Sequence, residues 1–232
     1  MADVAAKFLP DTVIEKLDWI VQRTNFIDGQ LKSFLEATEK DAAVGRQVLV
    51  LGSGYDTRCL RYGNLPGLGF YCVDLPSVAS NSGKIIDRYV RDRSEERAGS
   101  IPKPPTVVPL DLNDVGTRTS ILEELSGSGF VTDGSVPTLV LCEAVLFYLR
   151  PDAAQAITGE LFSSLPATTR YCLTDNLSKV GVIPGGGPEG PPPIAARSRC
   201  EAWLARNNKD LIDHDSIWGG AIHFVAAGES SP

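Results

Sequence analysis

The stretch VLVLGSGYDTRCLRY, Val48 to Tyr62, limits what this chain can fold into more than any other, because a wholly apolar run passes directly into a glycine turn. The run QVLVLG, from Gln47, is short and β-branched, and it does not alternate polar with apolar positions. Such a run is satisfied as a central parallel strand covered by helices on both faces. Four more runs read as strands: GFYCVD (Gly69 to Asp74), TVVPLD (Thr106 to Asp111), PTLVLCEA (Pro137 to Ala144) and RYCLTD (Arg170 to Asp175). Between them lie helix-length segments, Val78 to Arg97, Thr117 to Leu125 and Asp152 to Leu165, the last beginning just after Pro151 as helices often do. Strands alternating with helices predict an open, doubly wound α/β sheet, mostly parallel.

Upstream, from Asp11 to about Thr38, the apolar residues Val13 to Leu35 recur near helical spacing, and Thr24 with Asn25 offers a cap between two helices. The expectation is therefore two N-terminal helices over residues 1–44, followed by a core over 45–232, the whole forming one domain. The stretch IPGGGPEGPPP, Ile183 to Pro193, cannot be a regular element, since its prolines lack amide donors and its glycines cost backbone entropy. It reads as a long loop, either a linker or a cover over a substrate pocket. Beyond it, ARSRCEAWLARN reads as a helix and GAIHFVAAG, Gly220 to Gly228, as a terminal strand.

The chain has 29 acidic against 22 basic side chains and a net charge of -7, which opposes binding to nucleic-acid phosphates or anionic membrane surfaces. No run is apolar enough to span a bilayer, and no leader pattern opens the sequence, so a soluble, cytoplasmic protein is expected. The five cysteines are odd in number and show no CxxC pair, which predicts buried, reduced thiols.

The glycine turn is Gly52-Ser53-Gly54-Tyr55-Asp56-Thr57, with Thr57 where a dinucleotide loop carries its third glycine. Asp56 beside a pyrophosphate would repel it. The departure favours a ligand without phosphates, and S-adenosylmethionine fits: an adenosine bearing a cationic sulfonium and an amino-acid zwitterion. Asp74 ends the next strand at the spacing from which an acid accepts hydrogen bonds from ribose hydroxyls, although an aspartate there can also cap the following helix. Asp111, Leu112 and Glu143 follow later strands to the same carboxyl edge of the sheet, where open α/β folds bind ligands.

Several of these segments together resemble one family, the leucine carboxyl methyltransferase-like S-adenosylmethionine-dependent methyltransferases. The segments are RTNFID (Arg23 to Asp28), VLVLGSGYDTRCLR (Val48 to Arg61), VDLPSV followed by Lys84, LDLND (Leu110 to Asp114) and PTLVLCEAVLFYLRPD (Pro137 to Asp152). The resemblance implies a Rossmann-like methyltransferase fold with S-adenosylmethionine as cofactor. It implies that Gly52 and Gly54 lie against the methionine part, that Asp74 holds the ribose, and that Asp111 and Leu112 flank the adenine. By the same resemblance Glu143 reaches the cofactor ammonium, Arg23 pairs with its carboxylate, and Tyr148 lines the methyl-transfer channel; read from the residue alone, Tyr148 is equally a core aromatic. In the family the substrate-contacting region after the fifth strand is longer, and here the glycine and proline stretch occupies its place.

Methyl transfer from a sulfonium is an in-line displacement, so the protein's main task is to hold the acceptor in near-attack geometry. A carboxylate acceptor, on a small molecule or a protein, is already ionised at neutral pH and needs no base. A hydroxyl acceptor would need one, for which Asp56, Asp175 and His214 are the candidates. His214 and His223 are the only histidines, and core or surface roles are expected for both. The expected function is O-methyl transfer; the alternatives are a noncatalytic protein that binds the cofactor or S-adenosylhomocysteine, and an NAD-dependent oxidoreductase.

Overall fold

A computed structural model describes residues 11–96, 103–116, 119–183, 193–217 and 220–229. In chain order the elements are α1 (Asp11–Ala37), β1 (Arg46–Leu51), α2 (Arg58–Tyr62), β2 (Leu68–Asp74), α3 (Pro76–Glu96), β3 (Thr106–Pro109), α4 (Ile121–Gly127), β4 (Thr138–Glu143), α5 (Pro151–Ser164), β5 (Arg170–Asp175), α6 (Pro193–Arg206), β6 (Asp210–Ile217) and β7 (Ile222–Gly228). The strands form one sheet in the order β3-β2-β1-β4-β5-β7-β6. β1 is central, pairing in parallel with β2 through Val48↔Phe70 and with β4 through Val48↔Leu139. β7 is antiparallel to both β5 and β6, so β6 runs in the same direction as the first five strands.

Alternate residues of the buried strands feed two cores. Val48 and Val50 face Ile27, Leu31 and Phe34 of α1. Leu49 and Leu51 face the other way, into a core with Ile121, Ile157, Leu161, Trp203 and Leu204 from α4, α5 and α6. Both faces of β1 are therefore covered, as its unbroken apolar pattern requires. All five cysteines are free and buried. No helix among the described residues is long and apolar enough to cross a membrane.

Three expectations are corrected. The two N-terminal helices are one, α1, which runs through Thr24 and Asn25 without a break. Ile27, Leu31, Phe34 and Leu35 lie on one stripe and are buried against the sheet; each such burial is worth about 1.5–3 kcal/mol, more than the few tenths lost by placing Thr or Asn inside a helix. The helix expected from Thr117 starts at Ile121, because the Ser120 side chain accepts from the Glu123 amide and fixes the N-cap there; residues 117–118 lie outside the described residues. The third difference is β6, a strand absent from the sequence reading. Its acids Asp210, Asp213 and Asp215 hide the usual apolar signal, but charge on an edge strand guards against edge-to-edge pairing. Most of the expected loop, 184–192, lies outside the described residues, and Pro193 already opens α6.

Candidate functional site

β1 carries the chain to the carboxyl edge of the sheet, where Gly52 and Gly54 adopt φ of +58° and +50°. These are left-handed conformations that glycine adopts without steric cost. At Gly52 a side chain would also overlap Val145, which follows β4. The exit of β1 and the loop after β4 therefore meet with no room between them.

Asp74, at the end of β2 and nearly buried, ties this turn down. Its Oδ2 accepts from the Gly54 amide at 2.6 Å and its Oδ1 from the Leu75 amide at 2.7 Å. Each oxygen of a carboxylate has two acceptor sites, so one on each stays available to a ligand. Asp111 Oδ1 accepts from the Asn113 amide at 2.9 Å and caps a single helical turn, Leu112–Asp114, while the Leu112 side chain joins the core. Gly52, Asp74, Asp111, Leu112, Val145 and Tyr148 share a cleft of about 340 Å³, lined by no lysine or arginine among the described residues. Tyr148 is 75% exposed at its rim, with its ring centroid 3.9 Å from that of Phe147, so it is not a core aromatic.

On the other side of Gly52 a second cleft, of about 370 Å³, is lined by Arg23, Asp56, Arg58, Arg61 and Glu143 among others. Glu143, at the end of β4, accepts from Arg23 Nε at 2.7 Å through Oε1 and from Arg58 Nη1 at 2.8 Å through Oε2. Arg58 is nearly buried and also pairs with Asp56 at 2.8 Å and Asp28 at 2.6 Å. Burial alone would lower the guanidinium's pKa, but the carboxylates of Asp56, Asp28 and Glu143 raise it far above its ordinary value, so Arg58 is a permanent cation here. Arg61 adds a 3.0 Å bridge to Asp28. Burial pushes the Asp28 carboxyl up, and the bonds from Arg61 and Arg58 outweigh it, so Asp28 lies below its ordinary value. Arg23 also lies 4.4 Å from the Trp19 ring centroid, which holds its charge against α1.

The structure thus brings Arg23 and Glu143 together as one ion pair. It adds Arg58 and Asp28, which lie within VLVLGSGYDTRCLR and RTNFID but carry no expected role of their own. Their signal was present, an arginine after GSGYDT and an aspartate closing RTNFID, but the pairing spans 30 residues of chain.

Asp175 was a candidate base and is corrected. It is 1% exposed, and its two oxygens accept from the amides of Val145, Leu146, Phe147 and Asn176. Burial pushes this carboxyl up to about 6 against the pull of those four amides. The contacts hold the loop after β4, in which Ala144 takes a left-handed φ of 53°; a strained residue of this kind persists only where its surroundings fix it. Asp56 is likewise held by the backbone amide and side chain of Arg58. His214 lines neither cleft.

A family profile described as Leucine carboxyl methyltransferase matches residues 10–162. A protein of Mycolicibacterium vanbaalenii, provisionally named an S-adenosyl-L-methionine-dependent methyltransferase, is 29% identical over 167 residues, covering 72% of this chain and 49% of its own. One of Streptomyces avermitilis with a similar provisional name is 29% identical over 193 residues, covering 83% and 59%. The chain spans about half the length of the curated relatives it matches. Among solved structures, it aligns with a magnesium protoporphyrin IX methyltransferase from Synechocystis PCC 6803 with bound SAM, at 14% identity and a TM-score of 0.48, over 88% of this chain and 80% of that one. At that distance the fold description rests on the strand order alone.

Proposed function

This chain belongs to the leucine carboxyl methyltransferase family, and from that premise we propose that it binds S-adenosylmethionine across the two clefts that meet at Gly52 and transfers the methyl group to an oxygen acceptor. The observation that carries the reading is the division of charge across Gly52. The cleft of Asp74 and Asp111 is apolar and acidic, which suits an uncharged nucleoside and disfavours a pyrophosphate. The opposite cleft sets Arg23, Arg58 and Arg61 against Asp56 and Glu143, with Asp28 paired to Arg58 and Arg61, a balance that suits a zwitterion.

When bound, the cofactor supplies a methyl group activated by its sulfonium. Asp74 accepts from the ribose hydroxyls with its unused lone pairs, and Asp111 accepts from the adenine amino group beside the Leu112 backbone. Glu143 and Arg23 take the ammonium and carboxylate of the amino-acid end, with Arg58 holding Glu143 in place. Tyr148 lines the approach of the acceptor, its ring face turned to positive charge. Asp175 keeps the Val145–Phe147 backbone rigid beside that approach. The acceptor is a carboxylate or hydroxyl group on a small molecule or a protein. A carboxylate accords best with this site, because it is ionised at neutral pH and the candidate bases Asp56 and Asp175 are both tied up.

Calorimetric titration with S-adenosylmethionine, S-adenosylhomocysteine and NADH, run beside transfer of a labelled methyl group to fractions of a cell lysate, tests this. The expected result is binding of the first two, none of NADH, and label in an ester- or ether-bearing fraction. Binding without transfer to any fraction supports a cofactor-binding regulatory protein instead. Absence of binding by either sulfur nucleoside overturns both.

A further inference from the structure

Cys200 on α6, His214 on β6 and His223 on β7 stand outside both clefts, yet their sulfur and ring-nitrogen atoms all lie within 4.8 Å of one another. The strand register explains the meeting. His214 is paired with Val225 and His223 with Ser216, so the two imidazoles lie diagonally on one face of the β6–β7 hairpin, with ring centroids 5.8 Å apart. α6 packs across that face and brings Cys200 Sγ to 3.4 Å from His223 Nδ1.

Cys200 and His223 are fully buried and His214 is half-buried. Nε2 of His214 and Nε2 of His223 are both buried without a hydrogen-bond partner. The orphaned His214 nitrogen beside a thiol and a second imidazole is costly as a plain core, since buried polar atoms are almost always satisfied. The Cys200 sulfur with one nitrogen from each imidazole is the donor set a borderline metal ion takes, whereas calcium and magnesium prefer oxygen. Zinc bonds of about 2.3 Å to sulfur and about 2.0–2.1 Å to nitrogen, at a tetrahedral angle, set two such ligands about 3.5 Å apart. The observed 3.4 Å between Cys200 Sγ and His223 Nδ1 matches that spacing and makes Nδ1 the ligating nitrogen of His223. Charges of both signs lie near: Arg197 and Arg199 oppose a cation, while Asp213, Asp215 and Glu201 favour one, and Arg197 is already paired with Glu201 at 2.9 Å.

We propose that Cys200, His214 and His223 form a zinc site, with water as fourth ligand, that ties α6 to the β6–β7 hairpin. Binding is a ligand exchange without redox change. The Cys200 thiol gives up its proton to solvent as the sulfur–zinc bond forms, and each imidazole donates a nitrogen lone pair.

The test uses the full chain, dialysed against a chelator and titrated with Zn²⁺ alone, and then with Co²⁺ as a spectroscopic substitute. The expected result is roughly one equivalent of zinc per chain, a higher Tm with zinc, and a thiolate-to-cobalt charge-transfer band. Mg²⁺ and Ca²⁺ leave Tm unchanged. Cys200→Ser loses the charge-transfer band, and His214→Ala weakens zinc binding by about tenfold or more. Failure of the unsubstituted chain to take up zinc overturns the proposal, leaving only a thiol–imidazole contact. Zinc uptake retained in full by both variants also overturns it, since the ion would then sit on other ligands. If Cys200→Ser does not fold, His214→Ala decides the outcome, because it trims a half-buried side chain on an edge strand.

Discussion

At the residue scale, Asp74 performs a local structural task and also lines the cleft proposed to hold the ribose. Its bonds to the Gly54 and Leu75 amides are local and structural, and each oxygen keeps one acceptor site unused. Asp74→Ala should therefore weaken S-adenosylmethionine binding by about 1–3 kcal/mol, the usual cost of removing a hydrogen-bonding partner from a charged acceptor. Calorimetry reads this directly, and an unchanged Kd would remove Asp74 from the ribose role. Gly52→Ala makes a different case, because it both strains a left-handed φ and displaces Val145. The strain alone costs about 1–2 kcal/mol, so the variant should show a lower urea midpoint and also bind cofactor more weakly. Retention of both properties would mean that the junction of β1 with the loop after β4 is not rigid.

At the element scale, α1 is fixed to α2, which follows the glycine turn, by the bridges from Asp28 to Arg58 and Arg61. Because the folded state holds Asp28 below its ordinary value of 3.8, the folded chain binds that proton less tightly than the unfolded chain does. The stabilisation is therefore complete above the unfolded value and is lost as pH falls below about 4 through the folded value. Urea midpoints measured between pH about 5 and 3 should drop more steeply for the parent chain than for Asp28→Asn. Parallel slopes would show that the bridge contributes nothing to the docking of α1. The continuation of α1 past Thr24 could not be read from periodicity alone, because the stripe from Ile27 to Leu35 gains its worth only from the sheet it covers. By contrast, α5 was legible from Pro151 onward, since a proline at the first turn is a local signal.

At the scale of the whole molecule, the two ends of the described chain meet. Phe26 of α1 and Phe224 of β7 lie with ring centroids 5.6 Å apart, and Phe224 is fully buried. Phe224→Ala should cost about 3–5 kcal/mol, since it opens a cavity between the last strand and the first helix. A double-mutant cycle with Phe26→Ala should show coupling of about 0.5–1.5 kcal/mol, as expected for an aromatic pair. Additive losses in chemical denaturation would show that α1 and β7 are stabilised independently.

The sequence by itself determined the parallel centre of the sheet, the glycine turn and the acids at the strand ends, because each is written in a few neighbouring residues. An apolar run, a missing third glycine and an aspartate at the strand terminus need no partner to be recognised. Only the tertiary structure decided that Glu143 binds Arg23 across 120 residues, that Asp175 holds the loop after β4, and that Cys200, His214 and His223 converge. These depend on which strands become neighbours, and the polar edge strand β6 and the antiparallel insertion of β7 carry no local signal of that order. Side chains that act by pairing are fixed by the register of the sheet, so their roles appear only once the register is known.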